Sequence, residues 1–107
     1  MAISKQNNIL DGMVAVVTGA ANGNGRAITL RLIADGASVF ASDIDDQALQ
    51  NLMLEVVQTG GSIKTGIFDS AKVSDAEGLV DEAVSHYGRI DILVNNAGAI
   101  RAEAFPN

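Results

Sequence analysis

Residues 13–25 read Met13-Val14-Ala15-Val16-Val17-Thr18-Gly19-Ala20-Ala21-Asn22-Gly23-Asn24-Gly25. An unbroken apolar run enters a turn that carries three glycines. Such a run has the character of a strand buried on both faces, as in a parallel sheet. Glycines let a backbone turn sharply and approach a ligand with no Cβ atom in the way. A helical pattern follows at once, and the first N–H groups of a helix have no partners inside it. Strand, glycine turn and helix N-terminus together form the geometry that holds the pyrophosphate of a dinucleotide.

Working outward, the pattern alternates strand and helix. The first strand is expected at Met13–Thr18. A helix follows at Gly25–Asp35, with Ile28 and Leu32 four apart and Ala27, Leu30 and Ala34 close by. Gly36 ends it. The second strand is Ser38–Ser42 and the second helix Asp46–Thr59, with Leu49, Leu52, Met53, Val56 and Val57 as its apolar face. Gly60-Gly61 stops that helix. The third strand is Ile63–Phe68. The third helix is Ser74–Tyr87, with Ser74 and Glu77 spaced as a capping box. Its inner face is Leu79, Val80, Ala83, Val84 and Tyr87. Gly88 caps it, and the fourth strand is Ile90–Val94.

This alternation predicts an α/β fold of the Rossmann-like, doubly wound type: about four parallel strands in the order 3-2-1-4 and three helices. Residues 1–107 form one dinucleotide-binding domain on this reading. The fourth strand then lies at an edge, yet Ile90, Ile92, Leu93 and Val94 are too apolar for a protected edge. A further strand, a second copy or another polypeptide is expected to pair there.

Composition narrows the function classes. Of 107 residues, 48% are hydrophobic, which suits a packed core and excludes a disordered polymer. The formal net charge is −6, with no Lys- or Arg-rich stretch, so neither nucleic acid nor an anionic membrane surface is an expected partner. The chain has no Cys, which removes disulfides, thiolate metal sites and a thiol nucleophile. The single His, His86, has no companion ligands in a metal-binding spacing, and no metal is expected. Met1 to Asn8 is polar, unlike a signal peptide. A cytoplasmic location is the expectation.

Asp43 lies 18 residues beyond Gly25, at the end of the second strand. A carboxylate there accepts hydrogen bonds from the adenosine ribose hydroxyls and repels a 2′-phosphate. No Arg or Lys stands at Asn22 or Ile44 to neutralise such a phosphate. NAD is therefore expected over NADP. A P-loop is excluded because no Lys follows the glycines. A methyltransferase-type site usually has an acid at the end of the first strand, where this chain has Thr18.

At this point the chain resembles the short-chain dehydrogenase/reductases. The resemblance rests on Thr18-Gly19-x-x-x-Gly23-x-Gly25, Asp43, Asp69, the run Gly88-Arg89-Ile90-Asp91-Ile92-Leu93-Val94, and Asn95-Asn96-Ala97-Gly98. It covers the chain from about Leu10 to Phe105. It implies that Gly19, Gly23 and Gly25, with Asn22, form the pyrophosphate turn. It implies that Asp43, with Ile44 beside it, meets the ribose. It implies that Asp69 holds the adenine amino group, with Ser70 along the ring. Asn95, Ala97 and Gly98 match the segment under the adenosine ribose. Asn24 departs from the family, which usually has an apolar residue there, lining the cleft towards the nicotinamide.

The resemblance further implies hydride transfer between nicotinamide and a secondary alcohol or ketone in a complete enzyme. The family's catalytic Ser, Tyr-x-x-x-Lys and helical Asn fall beyond the Asn-Asn-Ala-Gly segment, past Asn107. The only Tyr is Tyr87, with Asp91 four residues on, and it reads as a core position of the third helix. No catalytic residue is therefore expected among the 107, and the isolated chain is expected to be inactive. Two other readings stay open: a non-catalytic NAD-binding module, and a subunit-interaction module acting through the fourth strand. Arg101 and Glu103 read as a solvated loop that borders a substrate pocket at most.

Overall fold

The computed structural model describes residues 8–69 and 71–96. The elements run β1 (Val14–Thr18), α1 (Gly23–Ala34), β2 (Ser38–Asp43), α2 (Asp46–Gln58), β3 (Ile63–Ile67), α3 (Val73–Tyr87) and β4 (Ile92–Asn95). The strands form one sheet in the order β3-β2-β1-β4, and every pairing is parallel. This is the expected order and the expected alternation.

Side chains alternate across each strand, so the sheet builds two cores. On one face Ala15, Val17, Val39 and Ala41 pack under Leu30 and Ile33 of α1 and Leu49, Leu52 and Val56 of α2. On the other, Val16 and Phe40 meet Leu79 and Ala83 of α3, with Phe68, Tyr87 and Ile90 at the margin. Helices thus cover both faces, as a doubly wound sheet requires.

Several local expectations shift. α1 begins two residues early, at Gly23, and buries Gly25, Thr29, Leu30 and Ile33 rather than centring on Ile28 and Leu32. The buried stripe runs along the four-residue ridge Gly25, Thr29, Ile33, and the Thr29 hydroxyl folds back to donate to the Gly25 carbonyl at 2.8 Å. α3 starts at Val73 with Lys72 as its N-cap, not at Ser74. Asp75, in the first turn, supplies the reach-back instead, accepting from the Asp69 N–H at 2.8 Å. Val57 on α2 and Val80 and Val84 on α3, expected inside, are exposed. The sheet covers only the middle of each apolar stripe. Gly88 ends α3 in the left-handed region, φ 84°, where its N–H donates to the Val84 carbonyl at 2.7 Å.

β4 starts two residues later than its apolar run and pairs only with β1 among the described residues. Leu93 on this edge is 62% exposed. Asp91 pins the strand's entrance: its N–H donates to the Val14 carbonyl and its Oδ2 accepts from the Val14 N–H, both at 2.8 Å. Arg89 donates to the same carboxylate through Nε at 2.9 Å and Nη2 at 2.6 Å. The Arg89 hydrogen bond, then that of Val14, hold the Asp91 carboxyl below the usual carboxylate range. Because the folded group has the lower pKa, its contribution is present above the unfolded value of about 4 and lost as pH falls through the folded one. The wild-type chain should melt above Asp91→Asn at pH 7, with the gap closing in acid. A gap independent of pH would contradict this role.

Candidate functional site

Parallel strands bring their C-terminal ends to one lip of the sheet. Thr18 ends β1, Asp43 ends β2, Asp69 follows β3 by two residues, and Asn95 ends β4. From β1 the chain winds outward to β2 and β3, then returns to lay β4 on the other side of β1. Order reverses between β1 and β4, and in open α/β sheets the crevice outside such a reversal is where ligands bind.

The glycine turn spans that crevice. Gly19 and Gly23 have φ of 63° and 57°, and α1 starts inside the turn. A Cβ on Gly25 would stand 1.9 Å from the Gly19 carbonyl oxygen and 2.8 Å from Asn96 Nδ2. The turn is therefore closed against its own helix, and only glycine fits. The Ala20 N–H donates to the Ser42 carbonyl at 3.0 Å, tying the turn to β2. Asn22 is the extended N-cap of α1, and its side chain makes no capping bond. The first helical bond across the turn runs from the Arg26 N–H to the Asn22 carbonyl, 3.3 Å. Of the three helices described, α1 alone has neither a capping side chain nor an acid in its first turn. The N–H groups of Gly23, Asn24 and Gly25 precede that first bond, and the helix dipole adds positive potential beside them.

Asp43 is half-buried at the rim. Its Oδ2 accepts from the Ala21 N–H at 3.0 Å, and its Oδ1 from the N–H groups of Ile44, 2.7 Å, and Asp45, 3.1 Å. Ile44 is 70% exposed beside it, an apolar surface open to a flat ring. Asp69 Oδ1 accepts from the Ala71 N–H at 3.0 Å. The Thr18 hydroxyl donates to Asn95 Oδ1 at 3.1 Å, linking the ends of β1 and β4.

The structure therefore brings Gly19, Asn22, Gly23, Asn24, Gly25, Asp43, Ile44, Asp69 and Asn95 to one end of the sheet. Ser70, Ala97 and Gly98, with Arg101 and Glu103, lie outside the described residues. Sequence reasoning passed over two participants. Asn96 Nδ2 donates to the Gly19 carbonyl at 3.2 Å, and the Ala21 N–H anchors the Asp43 carboxylate. Asn96 had a signal in the Asn-Asn pair; Ala21 had none. Arg26, the cation nearest the turn in sequence, is paired with Glu55 of α2.

Tyr87 stands at the other end of the sheet. Its hydroxyl contacts the Val39 carbonyl at 3.4 Å and Ser62 Oγ at 3.3 Å, near the starts of β2 and β3. Burial pushes its phenol pKa up, against a lowering contact from Ser62. Surface concavities also lie away from the lip, one along α3 between Ala71 and Asp81, another among Asp11, Gly36 and Gly61. Among the described residues no group of His, Cys, Asp or Glu is placed to hold a metal ion.

Residues 13–107 match the family model described as short chain dehydrogenase. A 3beta-hydroxysteroid dehydrogenase 2 of Eggerthella lenta is 40% identical over 98 residues, which is 92% of this chain and 38% of that protein. Two solved structures are similar. A 7 alpha-hydroxysteroid dehydrogenase complexed with NADH and 7-oxo glycochenodeoxycholic acid superposes with a TM-score of 0.80 at 38% identity, over 83% of this chain and 35% of that one. A short chain dehydrogenase/reductase from Burkholderia phymatum in complex with NAD gives 0.76 at 28% identity, over 78% of this chain and 30% of that one. The chain spans little more than a third of the length of the relatives it matches.

Proposed function

The chain belongs to the short-chain dehydrogenase/reductase family of oxidoreductases, and from that premise we propose that residues 1–107 are the dinucleotide-holding part of such an enzyme, selective for NAD. The observation that carries this reading is the glycine turn, packed so closely on α1 that a Cβ at Gly25 would stand 1.9 Å from the Gly19 carbonyl oxygen. Backbone approaches backbone there with no side chain between, which is what a pyrophosphate lying on the helix N-terminus requires. The absence of any acid from the first turn of α1 leaves that N-terminus free for a ligand anion.

On this reading Gly19, Asn22, Gly23, Asn24 and Gly25 bind the pyrophosphate. Asp43 and Ile44 meet the adenosine ribose and its base, and Asp69 and Ser70 meet the adenine. Asn95, Ala97 and Gly98 pass beneath the ribose. When bound, the nicotinamide supplies hydride chemistry towards a secondary alcohol or ketone. This chain's residues hold and orient the dinucleotide. The sequence contains no Tyr-x-x-x-Lys pair, so the 107-residue chain alone is proposed to turn nothing over. NADH formation with any secondary alcohol by pure chain would contradict that.

Selectivity rests on charge. A 2′-phosphate would face the Asp43 carboxylate, while Arg26 is held by Glu55. Like charges about 4 Å apart repel by about 1–4 kcal/mol between bulk water and a protein surface, and about 1.4 kcal/mol is already tenfold in affinity. The wild-type chain should bind NAD at least about tenfold more tightly than NADP, and Asp43→Ala should shrink that ratio. Calorimetry with both cofactors reads it; an NADP preference in the wild type would overturn the assignment.

Two further elements belong to the proposal. The β4 edge, where Leu93 is exposed, takes a further strand from another polypeptide or a second copy. A clean monomer in sedimentation at high concentration would count against the second copy. A cytoplasmic location goes with an acidic, cysteine-free chain, and no described helix is long and apolar enough to cross a membrane. Fractionation finding the protein in the membrane pellet would contradict it.

A further inference from the structure

The Asp43 carboxylate is engaged before any ligand is considered. Oδ1 takes two backbone donors from the β2–α2 loop, and Oδ2 takes the Ala21 N–H from the middle of the glycine turn. Ala21 is buried, at 2% exposure, and lies between Gly19 and Gly23. We propose that Asp43 is a positioning residue for the glycine turn: its carboxylate clamps the turn to the β2–α2 loop and so sets the shape that receives a pyrophosphate. This rests on the dinucleotide reading and adds a second role to the ribose acid.

The chemistry asks for a carboxylate in particular. A carboxylate has about four acceptor positions and no donor, so it serves donors on both of its sides at once. An Asn there has one acceptor oxygen and one NH2 group. Whichever way it lies, a donor faces a backbone N–H, either at Ala21 or at Ile44 and Asp45. The turn must then move, or bury an unsatisfied N–H. A residue that only touched the ribose would have no such reach.

Two ligands separate these roles: ADP, and 2′,3′-dideoxy-ADP, which keeps both phosphates and lacks the ribose hydroxyls. The clamp predicts that Asp43→Asn lowers the affinity for the dideoxy compound by about tenfold or more, because the phosphate seat itself is displaced. If Asp43→Asn weakens ADP alone and leaves the dideoxy compound unchanged, Asp43 is a ribose contact only and the clamp is wrong. If the wild type binds neither ADP nor NAD, the dinucleotide reading is what fails.

Amide hydrogen exchange on the ligand-free chain then still decides the clamp, and it does so without a variant that must fold. The Ala21 amide should be protected in the wild type. Where Asp43→Asn folds, the same amide should exchange at least about tenfold faster, with the amides of the β1 strand unchanged. An Ala21 amide that exchanges at the unprotected rate in the wild type would overturn the proposal.

Discussion

Replacing Gly25 by Ala is expected to lower NAD affinity by about 10- to 100-fold and to destabilise the chain by about 1–3 kcal/mol. The added Cβ would stand 1.9 Å from the Gly19 carbonyl oxygen and 2.7 Å from its carbon. Both are backbone atoms, so no side chain can rotate away. Either α1 slides outward or the turn opens. Opening the turn also breaks the bond from Asn96 to the Gly19 carbonyl. Losing even one charge-assisted bond to a phosphate accounts for the lower end of the range. Gly23→Ala is the comparison. At φ 57° it strains the backbone, yet its Cβ would meet nothing within 4 Å. Its effect should be the smaller one, near the 1–2 kcal/mol of a left-handed residue. Thermal melts and NAD calorimetry on both variants check the pair. Wild-type affinity in Gly25→Ala would mean that the turn is not the seat.

Phe40→Ala should cost about 3–5 kcal/mol, a large part of the 5–15 kcal/mol that holds a domain together. Phe40 is fully buried on β2, and on its face of the sheet it shares the buried core with Val16, Leu79 and Ala83. Its ring stands 6.4 Å from that of Phe68, tilted 52°, and both rings take up the space that a Cβ on Gly66 would need. Among the described residues, the other face's core has eleven buried hydrophobic members, shared between the sheet and two helices; this face's core has four, shared with one. Removing its largest member leaves α3 little to rest on. Urea unfolding followed by circular dichroism measures the loss. A change below about 1 kcal/mol would show that α3 is anchored elsewhere.

The fold was legible because its signals are local. Five-residue apolar runs, glycines that stop helices and the glycine turn each act over a few residues, and parallel topology follows from their alternation. Helix faces were read less well. Val57, Val80 and Val84 fit the helical period but are left exposed, since periodicity gives a stripe without saying how much of it is covered. Thr29, polar by type, is buried because its hydroxyl finds the Gly25 carbonyl within its own helix. The start of α3 was set by Asp75 bonding Asp69, a contact that outcompeted the Ser74–Glu77 pattern.

The candidate site divides the same way. Its glycines and Asp43 announce themselves by residue type and spacing. The bonds that shape it join Asn96 to Gly19 and Asp43 to Ala21, residues 77 and 22 positions apart. Only the sheet order brings these together, so no window along the chain shows them. Ala21 acts through its backbone, which the sequence cannot mark.

Titration of the purified 107-residue chain with NAD by calorimetry tests most directly whether it holds a dinucleotide at the glycine turn. One site per chain, about 10- to 100-fold weaker in Gly25→Ala and weaker for NADP, is the expected result. No heat of binding with either cofactor, or equal binding by Gly25→Ala, would contradict it.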